Sequence, residues 1–69
     1  MIDKTKLKEE LYEKFSSAYD INKDEVSSYN LIDAFGYGNM TIHYSNYALA
    51  VFYKNREVDI FESDVKVEK

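Results

Sequence analysis

Apolar residues at Leu7, Leu11, Phe15 and Ala18/Tyr19 recur every three or four positions, which marks one face of an amphipathic helix over residues 4–19. Glu10 and Lys14 make a favourable pair one turn apart. Lys4, Lys6 and Lys8 crowd the positive end of the helix dipole, so the first turn is expected to fray. Ser16 and Ser17 are weak helix formers near the far end, where no glycine supplies a stop.

From residue 40 to residue 62 the period shortens to two, and the segment reads as three short strands. Ser45 and Asn46 are expected to make one reversal, and residues 54–57 the next. Paired side chains then share a face. Met40, Ile42, Tyr44, Tyr47, Leu49, Val51, Tyr53, Val58 and Ile60 form a core face, with Met40, Val51 and Ile60 in one cross-strand row. Thr41, His43, Ala48, Ala50, Phe52, Asp59 and Phe61 collect on the opposite face. Neither reversal carries Asn-Gly or Asp-Gly, and a three-residue loop at either would invert one strand.

Residues 21–38 support two readings. Asn22 and Glu25 resemble a capping box and Gly36 suits a helix end, so a second helix over 23–35 fits. Its apolar residues would, however, scatter round the whole helical wheel. A strand over 29–35, turned by residues 36–39 into the Met40 strand, uses both glycines and is preferred. Ser63 and Asp64 break the pattern, and residues 65–67 alternate as an edge strand or frayed tail. The expected architecture is a single α+β domain over 1–69, with an N-terminal amphipathic helix packed on a three- or four-stranded antiparallel meander.

Composition narrows what such a domain can do. A chain of 69 residues buries only about 60% of its unfolded surface, so the core is small. No cysteine and a single histidine exclude a disulfide and argue against structural zinc. No apolar stretch has the length of a membrane span and no signal peptide is evident, so a cytoplasmic setting is expected and Asn39-Met40-Thr41 reads as a chance glycosylation match. Thirteen acidic residues against nine basic give a net charge of −4, which opposes direct nucleic-acid binding and favours a basic partner.

Candidate chemistry is sparse. His43 titrates near neutrality, but its expected neighbour, Ala48, cannot orient it. Gly36-Tyr37-Gly38 lacks the following helix that a phosphate loop needs, and the serine pairs lack a base. The acidic pairs have no calcium-loop spacing. Neither an enzyme, a cofactor nor a bound metal is therefore expected. The expected function is protein binding through His43, Phe52 and Phe61, rimmed by Glu57, Asp59, Glu62 and Asp64, since aromatic anchors inside a polar border are common interface anatomy. Carboxylates on a rigid scaffold could also imitate nucleic-acid phosphates toward a nucleic-acid-handling enzyme. In general character the chain is similar to small inhibitor or accessory proteins of phages and mobile elements. The alternative is a homodimer packed through the second sheet face, with no other ligand.

Overall fold

The structure, a computed structural model, describes residues 2–68. One helix, α1 (Lys4–Ala18), precedes a short 3₁₀ turn (Lys23–Glu25) and three strands: β1 (Val26–Tyr37), β2 (Met40–Tyr53) and β3 (Asp59–Lys66). The strands form one antiparallel sheet in the order β1-β2-β3, so the fold is a helix packed on a three-stranded meander.

Helix α1 starts where a side chain can replace the missing turn. Asp3 accepts a hydrogen bond from the Lys6 N–H at 3.1 Å, and its charge offsets the neighbouring lysines at the positive dipole end. Two of those lysines also find aromatic faces, Lys4 over Tyr47 at 5.9 Å and Lys8 over Tyr29 at 5.6 Å. Glu10 pairs with Lys6, one turn before it, at 4.0 Å, and Lys14 lies over the Phe15 ring. The helix stops without glycine: Asp20 takes a left-handed φ of 52°, and the Ile21 N–H reaches back to the Ser16 carbonyl at 3.0 Å. That is a Schellman ending, and aspartate is among the few residues that tolerate its left-handed position.

Residues 23–35 are not a second helix. The capping signal at Asn22 is real but short, since its side chain caps the Asp24 N–H of a single 3₁₀ turn before β1 begins. The strand reading holds and extends from Val26 to Tyr37. Gly38, with φ 63°, occupies the first central position of the two-residue turn into β2, the place where a type II′ hairpin needs glycine.

The expected reversal at Ser45 and Asn46 does not occur, and residues 40–53 run as one strand. Between the pairs Ile32↔Ala48 and Ala34↔His43, residues 44–47 of β2 face Asp33 alone. Ser45 and Asn46 disturb the ladder, but neither takes the positive φ a tight hairpin uses, and the extra residues are absorbed as a bulge. Ser63 and Asp64 act similarly in β3. The pairing jumps from Ala48↔Glu62 to Asn46↔Lys66, and the Ser63 hydroxyl holds the bulge by donating to the Tyr47 carbonyl at 2.7 Å and accepting from the Val65 N–H at 3.1 Å. The edge strand expected at residues 65–67 is the end of β3 beyond this bulge.

The core is one layer between α1 and the sheet. Leu7, Leu11, Tyr12 and Phe15 pack on Tyr47, Leu49 and Val51, with Tyr29, Leu31, Tyr53 and Phe61 at the margins. Ring stacking adds geometry: Tyr12 lies flat on Tyr29 at 3.8 Å, and Phe61 sits between Phe15 at 5.0 Å and Tyr19 at 4.9 Å.

Candidate functional site

With one helix and one sheet, only one sheet face is covered. Tyr47, Leu49, Val51 and Tyr53 point under α1 as expected, and Ala48, Ala50 and Phe52 alternate to the other side. Their cross-strand partners complete the uncovered face: Ser28, Asn30 and Ile32 on β1, and Ile60 and Glu62 on β3. The two alanines of the central strand are buried, while Phe52 at the end of the row is 42% exposed. The molecule measures 17 Å across its thinnest dimension, as two layers should.

Two expected placements are corrected. Strand β3 carries the opposite face assignment, because residues 54–58 connect the strands so that Leu49 pairs with Phe61 and Ala50 with Ile60. Phe61 and Asp59 therefore lie on the helix side, and Ile60 joins Phe52 on the uncovered face. Met40 and Ile42 do not belong to the core and form no row with Val51 and Ile60. They pair with Tyr37 and Phe35 in an arm that runs past the helix N-terminus. Tyr37, Met40 and Ile42 are 81%, 73% and 52% exposed. By alternation these three and Phe35 share one face of the arm, with Ala34, Gly36, Thr41 and His43 on the other.

The expected contact residues are thus divided. Phe52 and Glu62 share the uncovered face. Glu57 is exposed in the β2–β3 connection and Asp64 in the β3 bulge. His43 is in the arm opposite Ala34, where it borders a pocket with Asp33 and Glu68. The sequence pattern missed Ile60 beside Phe52 and Ile32 opposite Ala48 farther along the same face, because bulges and loop length set those pairings.

Asp59 and Phe61 line a separate groove of 420 Å³ at the helix C-terminus, together with Tyr19, Asp20, Glu25, Tyr53 and Arg56. Arg56 stacks over the Tyr53 ring at 4.0 Å and donates to Asp59 at 2.8 Å, while the Tyr53 hydroxyl donates to the same oxygen at 2.9 Å. Burial first, then this hydrogen bond, raises the Tyr53 phenol above its ordinary value. Asp59 is thereby tied into a local clamp, and nothing in the groove pairs a nucleophile with a base. Among the described residues, no cluster of three or more metal-ligating side chains occurs, and no helix is long and apolar enough to cross a membrane.

Compared with family models, curated proteins and solved structures, the chain matches none.

Proposed function

We propose that this chain is a non-enzymatic protein-binding module whose docking surface is the uncovered sheet face around Phe52. The observation that carries the reading is the exposure of Phe52 beside Ala50 and Ile60 on a sheet whose other side is packed by α1. A phenylalanine left in water beside small and aliphatic side chains gains most from a partner that covers the whole row. Glu62 on that face, Glu57 and Asp64 near it, and the net charge of −4 favour a basic partner. A nucleic-acid-handling enzyme has such a surface, and an acidic module seated on it would act as an inhibitor. Affinity capture with wild type and Phe52→Asp, followed by competition with DNA for the captured protein, tests this. Loss of capture in the variant is expected. Retention of the same proteins by both forms would remove the uncovered face from consideration.

The alternative occupant of that face is a second copy packed face to face, which the nearly uncharged row of Ile32, Ala48, Ala50, Phe52 and Ile60 permits. In that case Phe52→Asp lowers the molar mass of the purified chain.

A further inference from the structure

The groove at the C-terminus of α1 has walls of two chemical kinds. Tyr19, Tyr53 and Phe61 supply rings, and Asp20, Glu25 and Asp59 supply carboxylates. Arg56 is the one cation among its lining residues, so the acidic groups outnumber it three to one. The lysines on the surrounding elements are placed elsewhere: Lys23 donates to Glu13 at 2.9 Å, Lys14 lies over the Phe15 ring at 5.8 Å, and Lys54 is exposed outside the lining. Asp24 and Glu57, the other charges flanking these residues, add to the negative side. The last turn of α1 also has no basic residue to offset the negative end of its dipole.

Arg56 shows how such walls hold a cation. Its guanidinium stacks on the Tyr53 ring at 4.0 Å and donates to Asp59 at 2.8 Å. A planar guanidinium serves ring and carboxylate together, whereas an ammonium is a point charge with no face to stack. Half of the groove is left over. Among the described residues Asp20 and Glu25 make no ion pair, and Tyr19, stacked on Phe61 at 4.9 Å, is still 63% exposed.

We propose that this groove receives an arginine side chain of a basic partner protein, with Tyr19 as its stacking surface and Asp20 and Glu25 as its acceptors, while Arg56 is an internal guanidinium that fills the Tyr53–Asp59 half. The site is independent of the docking role of Phe52, which points to the opposite side of the sheet from Tyr53. Charge complementarity selects the occupant. An anionic guest would meet three carboxylates, and an apolar one would cover Asp20 and Glu25 without pairing them. A guanidinium satisfies both kinds of wall. Arg56, Tyr53 and Glu25 also line a second cavity of 150 Å³, so the Arg56 side chain borders both spaces and its removal enlarges the first.

Amide chemical shifts of the isotope-labelled intact chain, titrated with acetyl-Gly-Arg-Gly-amide in about 0.15 M salt, test the site. Saturable shifts at Tyr19, Asp20 and Glu25 are expected, with none from the peptide that carries neutral citrulline and a weaker response to the lysine peptide. Asp20→Asn/Glu25→Gln, in which asparagine keeps the left-handed position, should weaken binding by about fivefold. Arg56→Ala, which releases Tyr53 and Asp59 to the peptide, should tighten it by about threefold. Phe52→Ser should leave it unchanged, and the same spectra report that each variant is folded. The proposal is overturned by an absence of saturable shifts at those three residues, or by an equal response to the citrulline or lysine peptide. An affinity that Arg56→Ala leaves unchanged or lowers overturns it too, as does loss of binding in Phe52→Ser. None of these results alters what Phe52→Asp does to capture of a partner, so the two sites fail separately.

Discussion

Tyr29 joins the helix to the sheet edge through three kinds of contact at once. Its ring is stacked on Tyr12, the Lys8 ammonium lies over it, and its hydroxyl donates to the Glu9 carboxylate at 2.6 Å. That hydrogen bond, then partial loss of water, pushes the phenol from its ordinary value of 10.0 up to about 12. Since the folded value is the higher one, the contribution to stability is complete below about pH 10 and disappears as pH rises toward 12. Ultraviolet titration of wild type minus Tyr29→Phe should isolate a tyrosinate that forms well above the ordinary range, and Glu9→Gln should bring it back. A midpoint at the ordinary value in the folded wild type would contradict the geometry. Placing Tyr29 on a strand was within reach of the sequence; its link to Glu9, twenty residues away, was not. Local patterns specify which way a side chain points from its own backbone. What it meets depends on how the helix lies across the sheet.

At the scale of elements, the sequence marks irregular sites more clearly than it says what happens there. The helix could be read from Leu7, Leu11 and Phe15, and the hairpin from Gly38, because each rests on geometry that only a few residues satisfy. Ser45, Asn46, Ser63 and Asp64 also mark departures from strand pairing, yet these become bulges within longer strands. Serine, asparagine and aspartate all offer side-chain oxygens to nearby amides, so they suit turns and bulges alike. Ser63 makes the choice concrete, since its buried hydroxyl serves the Tyr47 carbonyl and the Val65 N–H together. Ser63→Ala removes both partners and should cost about 1–3 kcal/mol through unsatisfied backbone groups. Chemical denaturation measures the loss, and Ser63→Thr, which keeps the hydroxyl, should recover part of it. No loss with alanine would mean that the bulge is held by packing alone.

For the molecule as a whole, a single helix cannot shelter every apolar position of a sheet that outruns it. The alternating stripe that includes Ile42 and Leu49 gives both residues the same standing in the sequence. The structure separates them by the bulge between: Leu49 is fully buried beneath α1, whereas Ile42 is 52% exposed in the arm. The same pattern also gave β3 the wrong face, since residues 54–58 set its phase and no strand residue reports loop geometry. Members of one stripe should therefore contribute unequally to stability. Leu49→Ala opens a cavity in the small core and should cost about 2–5 kcal/mol, a large share of what a domain of this size possesses. Ile42→Ala removes side-chain surface that already faces water in the isolated chain, so its cost should stay within about 0.5 kcal/mol. Urea unfolding of both variants at low protein concentration makes the comparison before self-association contributes. Equal losses would place the arm inside the cooperative core.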